Sequence, residues 1–216
     1  MIIKNGQFWN GDCLELMKFI PDGSVDMILT DVPYNEVNRK SSGLRKLNKG
    51  LADSTIFDEF SFIEECVRVC KGSIYIFCGS KQFSSFINEL EIKGLSTRIG
   101  VWSKPNPSPM NGEKIWLSGS ELCVYGKKAK ATYNEHCKSS VWVETSVKSK
   151  IHPTQKPVKL FERLILASSN PNCLILDPFA GSGTTAIAAE RTGRKWICIE
   201  KDPAYYFGAV GRVWAE

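Results

Sequence analysis

The chain has 216 residues, of which 43% are hydrophobic, 11% aromatic and 24% charged, a balance typical of a soluble globular protein with one domain. Its 28 Lys and Arg residues outnumber its 23 Asp and Glu residues, and the net charge of +5 favours acidic partners such as nucleic acid. The longest unbroken apolar run, Ile74 to Cys78, is far too short to span a membrane.

Short apolar runs alternate with amphipathic segments, which is the pattern of a parallel sheet covered by helices. The runs predict seven strands, at residues 7–10, 24–30, 73–78, 97–102, 121–125, 173–177 and 195–200. Apolar residues at helical spacing predict helices at residues 12–20, 58–71, 81–93, from 157 onward, 183–192 and 203–214. We therefore expect a single doubly wound α/β domain over residues 1–216.

Two segments, residues 35–56 and 103–120, lack either period and are predicted to be long loops. A compact domain seldom keeps a structureless connection longer than about 12–15 residues unless it is a lid or a binding loop. The first loop is basic, with five Lys and Arg side chains against two acidic ones, and residues 127–159 carry eight Lys against two Glu. The positive charge of the chain is therefore concentrated in two segments.

An even number of cysteines, eight, could indicate disulfides if the chain were secreted. The start of the chain turns polar at Lys4 and shows no apolar secretory signal, so we expect a reducing, cytoplasmic location. The chain has no Cys-x-x-Cys pair, so no metal site is predicted. Five cysteines lie in or beside apolar runs, where a free thiol acts as a small hydrophobic group: Cys13, Cys78, Cys123, Cys173 and Cys198.

A glycine-rich turn from Asp177 to Thr185 follows one apolar run and precedes a predicted helix. Gly181 and Gly183 permit close approach of a ligand, and the helix N-terminus offers free N–H groups, so a nucleotide-like ligand fits there. Glu200 ends the next predicted strand, 19 residues after Gly181. Doubly wound folds place an acid at about this spacing on ribose hydroxyls.

The same turn excludes two nucleotide classes. It lacks the Gly-Lys-Ser/Thr end of a P-loop and the third glycine of the dinucleotide fingerprint. Asp177 would repel a pyrophosphate but attract an ammonium group, which favours S-adenosylmethionine, a cofactor with an adenosine at one end and an amino acid at the other. The predicted cofactor residues in this region are Asp177, Pro178, Phe179, Ala180, Gly181, Ser182, Gly183, Thr184, Thr185 and Glu200.

A second motif, Asp31-Val32-Pro33-Tyr34, follows the predicted strand at 24–30 and, taken alone, indicates only a turn after a strand. Ligand sites in open parallel sheets lie at the carboxyl ends of strands, where this motif and the glycine turn would meet. The Asp31 carboxylate and the Val32 carbonyl can accept both N–H bonds of an exocyclic amino group, and Tyr34 offers a ring for stacking a base. Such an amino nitrogen is a usable nucleophile once its lone pair is no longer delocalised.

The paired motifs resemble those of the amino-methylating DNA methyltransferases, which modify adenine N6 or cytosine N4. The family signature Asp/Asn/Ser-Pro-Pro-Tyr corresponds to Asp31-Val32-Pro33-Tyr34, and its Phe-x-Gly-x-Gly cofactor loop corresponds to Phe179-Ala180-Gly181-Ser182-Gly183. The order of the two motifs, catalytic before cofactor, resembles the β group of that family.

Further segments are similar to family elements. Gly11 to Leu16, with Asp12 and Cys13, resembles the element near the cofactor adenine, and Trp102 to Pro107 loosely resembles a segment that lines the target-base pocket. The element before the cofactor loop is represented by His152-Pro153-Thr154-Gln155-Lys156-Pro157, from which His152, Thr154, Gln155 and Lys156 are predicted cofactor residues.

The resemblance implies a seven-stranded, mostly parallel, Rossmann-like methyltransferase sheet that is circularly permuted. The cofactor strand, 173–177, and the ribose-acid strand, 195–200, come last in this chain. The next strand of the fold would then be the N-terminal strand at 7–10.

The resemblance also implies double-stranded DNA as the substrate, with the target base extruded into the pocket. Loops 35–56 and 127–150 are predicted to contact DNA. The predicted phosphate contacts in the first loop are Arg39, Lys40, Arg45, Lys46 and Lys49.

One residue departs from the family signature, because Val32 replaces its first proline. The contact at that position is made by a backbone carbonyl, which valine retains, so activity is expected to survive. Asp at the first motif position is commoner in the family's adenine enzymes, so adenine N6 is the implied target. Cytosine N4 in DNA, adenine N6 in RNA, and a non-enzymatic nucleic-acid-binding protein remain alternatives, and a homodimer or a partner endonuclease would be consistent with the family.

Overall fold

The computed structural model describes residues 2–34, 57–109, 112–147 and 155–216. Its strands are β1 (Ile2–Ile3), β2 (Gly6–Asn10), β3 (Val25–Asp31), β4 (Cys70–Cys78), β5 (Ser96–Ser103), β6 (Ser120–Lys127), β7 (Val141–Val143), β8 (Leu174–Asp177) and β9 (Lys195–Glu200). Its helices are α1 (Cys13–Met17), α2 (Glu59–Val69), α3 (Ser80–Ile92), α4 (Val158–Ser168), α5 (Thr184–Arg191) and α6 (Pro203–Ala215).

All strands belong to one sheet, in the order β1-β2-β9-β8-β3-β4-β6-β5-β7. The five strands from β2 to β4 in that order are parallel, and β6 runs antiparallel between β4 and β5. The predicted α/β fold with a mostly parallel sheet is therefore confirmed. The seven predicted strands all form, and β1 and β7 extend the sheet at its edges with segments too short to show a period.

Strands from the two ends of the chain, β2 and β9, are neighbours near one side of the sheet. Strand β9, the last of the chain, pairs in parallel with β2, so that Glu200 lies opposite Asn10. The predicted permutation is therefore present, since the N-terminal strand continues the sheet after the ribose-acid strand.

Helices cover both faces of the sheet because the side chains of its strands alternate between two cores. In β3, Met27 and Leu29 face the core formed with α4, α5 and α6, whereas Ile28 faces the core formed with α1, α2 and α3. Six of the eight cysteines are buried, Cys173 is half-buried, Cys137 is exposed, and all eight are free thiols. Among the described residues, no helix is long and apolar enough to cross a membrane.

The carboxyl ends of β2, β3, β4, β8 and β9 open at one edge of the sheet, and antiparallel β6 begins at that same edge. The irregular segment before β6 joins this edge. As predicted, residues 104–109 and 112–119 contain neither helix nor strand. The predicted loop 35–56 lies outside the described residues.

Candidate active site

A cleft of about 370 Å³ at this edge is lined by residues of both sequence motifs. Its walls include residues 31–33 at the end of β3, 177–182 at the end of β8, and Glu200 at the end of β9. Residues 11–13 and 155–156 complete the cleft, whose volume lies in the range of small-molecule sites, about 300–1,000 Å³. The structure thus brings the Asp31 motif and the glycine turn into one cavity, although they are far apart in the chain.

A buried carboxylate holds the glycine turn. Asp177 Oδ1 accepts hydrogen bonds from the Thr30 hydroxyl at 2.7 Å and from the backbone N–H of Phe179 at 3.1 Å. Asp177 Oδ2 accepts a hydrogen bond from the Thr185 hydroxyl. Burial raises the pKa of Asp177 to about 6. Thr185 is fully buried, does not line the cleft and positions Asp177.

Gly183 is the N-cap of α5 and has a φ of +74°, and a Cβ at this position would lie 3.2 Å from atoms of Phe8 and Ala209. Arg212 of α6 braces the preceding residue by donating to the Ser182 carbonyl at 3.0 Å and to its hydroxyl at 3.2 Å. Gly183 therefore shapes the turn without lining the cleft. Sequence reasoning missed Arg212, because a lone arginine on an amphipathic helix carries no motif.

Two more acids, Glu200 and Asp12, line the side of the cleft where the sequence predicts the adenosine of the cofactor. Glu200 accepts hydrogen bonds from the backbone N–H of Gly181 and of Asp202, both at 2.8 Å. Burial raises the pKa of Glu200 to about 7. Asp12 caps α1 through the Leu14 N–H at 2.9 Å and forms an ion pair with Lys201 at 3.1 Å.

The lining of the cleft is acidic, with five carboxylate side chains against two lysines. This balance favours a ligand that carries positive charge and disfavours a pyrophosphate. The acids are Asp12, Asp31, Asp177, Glu200 and Asp202, and the lysines are Lys156 and Lys201. Among the described residues, no three His, Cys, Asp or Glu side chains lie close enough to hold a metal ion.

Asp31 closes the other side of the cleft. Its Oδ2 accepts a hydrogen bond from the Lys156 ammonium, whereas its Oδ1 is buried and has no hydrogen-bond partner among the described residues. Burial raises the pKa of Asp31 to about 6, even though Lys156 acts in the opposite direction. A buried acceptor without a partner destabilises the fold by about 1–3 kcal/mol. A ligand N–H bond at Oδ1 would remove that cost.

Lys156 connects Asp31 to a second carboxylate. It is 4% exposed, and its Nζ lies 3.0 Å from Glu121 Oε2, while Glu121 Oε1 forms an ion pair with Lys104 at 2.6 Å. Burial by itself raises the pKa of Glu121, but the two lysines outweigh it and lower that pKa to about 2. Sequence reasoning grouped Lys156 with the cofactor residues, whereas the structure places its ammonium on Asp31. Glu121 was missed because it lies within an ordinary predicted strand.

The turn after Asp31 is held by several hydrogen bonds. The Val32 N–H donates to the Phe77 carbonyl at 3.1 Å, and the Tyr34 hydroxyl donates to Glu121 Oε2 at 3.1 Å. Gln82 of α3, which sequence reasoning also missed, donates from Nε2 to the Pro33 carbonyl at 3.1 Å. The motif is therefore fixed by its neighbours even though it lacks the first proline of the family signature.

Several predicted site residues lie outside the described part of the chain: His152, Thr154, Arg39, Lys40, Arg45, Lys46 and Lys49. The predicted DNA-contacting segment 127–150 is divided by the fold. Lys127 pairs with Ser73 near the start of β4, at the edge of the sheet opposite Asp31, and residues 128–140 follow from there. Strand β7 returns toward the cleft, so residues 144–147, which follow it, approach the active-site edge.

The chain matches a family model described as DNA methylase over residues 25–210, a range that contains Asp31 to Tyr34, the glycine turn and Glu200. The chain belongs to the DNA methylase family. The resemblance predicted from the two motifs is thereby confirmed.

Relatives of this DNA methylase share much of its length. It is 32% identical to the type II methyltransferase M.HinfI of Haemophilus influenzae over 90% of this chain, although the chain spans only 64% of that protein. It is 37% identical to the DNA adenine methyltransferase YhdJ of Escherichia coli, over 91% of this chain and 78% of that protein.

Solved structures agree with the fold of this DNA methylase. The complex of M1.HpyAVI with S-adenosylmethionine superposes with a TM-score of 0.77 at 28% identity and covers 96% of this chain and 99% of that one. The cytosine-N4-specific PvuII methyltransferase superposes with a TM-score of 0.78 at 22% identity, over 97% of this chain and 86% of that one, which is a likeness of fold alone.

Proposed function

We propose that this chain is an S-adenosylmethionine-dependent DNA methyltransferase that methylates N6 of an extruded adenine. The observation that carries the proposal is the buried Asp31 Oδ1, which has no hydrogen-bond partner among the described residues and belongs to a side chain that lines the same cleft as Asp177 and Glu200. Relatives with type II and adenine methyltransferase names support the same activity.

The cofactor is S-adenosylmethionine, as the sequence predicted, and when bound it supplies a methyl group activated on a sulfonium. Asp177 and the glycine turn would hold its amino-acid end, while Glu200 would accept hydrogen bonds from the ribose. Asp12 and Cys13 would lie near the adenine. The acidic lining of the cleft suits the two positive charges of this cofactor, on its sulfonium and its ammonium.

Asp31 would act on the target base through its free oxygen. Oδ1 can accept one N–H bond of the exocyclic amine, and the Val32 carbonyl can accept the other, which keeps the nitrogen lone pair out of the base ring. A pKa of about 6 suits this oxygen to take the proton that the amino nitrogen loses after transfer. Lys156 holds Oδ2, so the carboxylate keeps one orientation.

Mass spectrometry of nucleosides tests the proposal directly. Duplex DNA and RNA would be incubated with the protein and a methyl-labelled cofactor and then digested. We expect labelled N6-methyladenine from DNA alone. Labelled N4-methylcytosine or methylated RNA would assign the pocket to one of the alternative targets, and unlabelled products would favour a non-enzymatic binding protein. The experiment is needed for the target base because the likeness to the PvuII enzyme shows only the fold.

The proposed DNA contacts in loop 35–56 predict a change in salt dependence. Changing both Arg45 and Lys46 to Ala should weaken binding to all DNA sequences alike, since phosphate contacts carry little sequence information. The slope of log affinity against log salt should fall by about 2, about 1 for each lost contact, in fluorescence anisotropy titrations. Lys195→Ala and Lys159→Ala, which remove the same charge from other surfaces, serve as the matched control. An unchanged slope in the loop variant would assign those residues to a solvated surface.

Replacing Val32 by the family's proline should leave methylation detectable. The substitution keeps the carbonyl of residue 32, which we assign to the base. It removes the N–H of that residue, so the Phe77 carbonyl loses its hydrogen bond. We expect the free energy of unfolding to fall by about 1–3 kcal/mol in urea titrations. A folded Val32→Pro enzyme with no methylation would contradict the assigned geometry.

Cofactor affinity should depend on pH. The pKa values of Asp177 and Glu200 are raised to about 6 and about 7, so both carboxylates gain protons as the pH falls through that range. Their loss of charge should weaken binding of S-adenosylhomocysteine in calorimetric titrations as the pH falls from about 8 to about 5.5. Glu200→Gln should remove the part of this dependence near pH 7. A flat profile in the unaltered enzyme would contradict the assignment of both acids.

Three further predictions from the sequence concern partners and location. We propose that the chain forms a homodimer, acts beside a partner endonuclease and is cytoplasmic. Sedimentation of the purified chain with and without duplex DNA would decide the oligomeric state.

A further inference from the structure

A second cavity, of about 400 Å³, lies away from the proposed active site. It is formed by the start of β5, the end of β6, the segment from Tyr133 to Ser140, and α4. Leu164 of α4 lines this cavity, whereas Phe161, one turn earlier, lines the cofactor cleft. The two cavities are thus separated by the packing of α4 on the sheet. The two cavities share no lining residue.

The wall of the second cavity is aromatic. The rings of Tyr75 and Tyr125 lie 4.6 Å apart with planes inclined by 33°, and Trp142 lies 6.2 Å from Tyr75. Such rings bind flat aromatic ligands by stacking. The Tyr75 hydroxyl bonds to Ser168 at 2.7 Å, whereas the buried Tyr125 hydroxyl has no hydrogen-bond partner among the described residues. A heteroaromatic ligand would satisfy that hydroxyl, and a hydrocarbon would not.

The lining of the second cavity is also cationic, with four basic side chains against one acid. Arg163 is only loosely paired with Glu135, at 3.8 Å, which leaves most of its N–H donors for another anion. Arginine is well suited to phosphate oxygens because it donates several hydrogen bonds from a planar group. The four cations are Arg98, Lys127, Lys138 and Arg163.

We propose that this cavity binds a nucleoside monophosphate, with its base against Tyr75 and Tyr125 and its phosphate held by Arg98 and Arg163. The base supplies the flat ring and heteroatoms that the wall requires, and the phosphate supplies the negative charge that the cations require. This site gives a role to the basic residues that begin the 127–150 segment, which the fold places on the edge opposite Asp31.

Calorimetric titration of the full chain with deoxyadenosine monophosphate tests the proposal. The cofactor cleft would first be saturated with S-adenosylhomocysteine. We expect binding that weakens by about tenfold or more when Arg98 and Arg163 are both changed to Gln, because charge-assisted hydrogen bonds are lost. Tyr125→Phe should weaken binding several-fold without altering the shape of the cavity. The matched control changes Lys159, one turn before Arg163, and Lys195 to Gln, and should bind like the unaltered chain.

Two further ligands and a parallel assay keep the result unambiguous. Deoxyadenosine and inorganic phosphate should each bind more weakly than the nucleotide. Absence of nucleotide binding at millimolar concentration, or binding that the Arg98 and Arg163 changes leave intact, would overturn the proposal. Displacement of the nucleotide by a short single-stranded oligonucleotide would also overturn it, because the cavity would then bind the end of a nucleic acid strand. DNA methylation by the same preparations is measured separately, so a failure of either proposal is recognised on its own.

Discussion

Replacement of Asp31 by Ala should reduce the turnover number for DNA methylation by about 10³-fold, the loss typical for removal of a group aimed at the reacting atom. The side chain is the one acid of the cleft whose free oxygen would bind the exocyclic amine. Asp177 and Glu200 keep their contacts in this variant, because neither bonds to Asp31. Affinity for S-adenosylhomocysteine should therefore stay within about twofold, which corresponds to about 0.4 kcal/mol.

Two variants separate this role from a structural one. Asp31→Asn keeps the size of the side chain and an acceptor oxygen but loses the charge that pairs with Lys156, so its turnover should lie between those of the Ala variant and the unaltered enzyme. Asp22→Ala removes an acid whose side chain is 80% exposed and should have full activity. Methylation would be measured with labelled cofactor at saturating DNA. Unchanged turnover in a folded Asp31→Ala protein would remove Asp31 from the catalytic assignment.

Sequence analysis identified the residues whose role is indicated by their immediate neighbours in the chain. Asp31 to Tyr34 and the glycine turn each combine a strand end, a turn and a reactive or permissive residue, so a short window of sequence contains the whole signal. Strand β4 was equally accessible, since a strand that is buried on both faces contains a continuous apolar run, here Ile74 to Cys78.

The residues that sequence analysis missed act across the sheet. Glu121 reaches the site because β6 is antiparallel to β4 and begins at the active-site edge, a pairing that no local period encodes. Gln82 and Arg212 are single polar residues on helices. The spacing of apolar residues in such a helix predicts which face is buried, but it does not predict the partner of one polar side chain. The position of the basic segment after β6 was likewise set by strand direction, so charge alone could not assign it to the DNA surface.

Replacement of Lys156 by Met should be the most destabilising single change in the site. The substitution leaves Asp31 and Glu121 facing one another with only Lys104 as counter-ion, and removal of one member of a buried ion pair costs about 3–5 kcal/mol. Lys104→Met is the matched control, because Lys104 pairs with Glu121 at the outer side of the cluster and its loss leaves Asp31 paired. Urea denaturation of the two variants should place the Lys156 variant well below the Lys104 variant in stability.

A second substitution distinguishes positioning of Asp31 from simple support of the fold. Adding Glu121→Gln to Lys156→Met removes one of the two opposed carboxylates and should restore much of the lost stability. It should not restore methylation at neutral pH. Loss of Lys156 raises the pKa of Asp31 above its value of about 6 by more than loss of the Glu121 charge lowers it, because Lys156 acts on Asp31 both by charge and by a hydrogen bond, and the buried carboxyl stays protonated. The acidic limb of the pH–rate profile should therefore move to higher pH in the double variant, and activity should increase as the pH is raised. A double variant with recovered stability and an unshifted limb would show that Lys156 supports the fold without controlling Asp31.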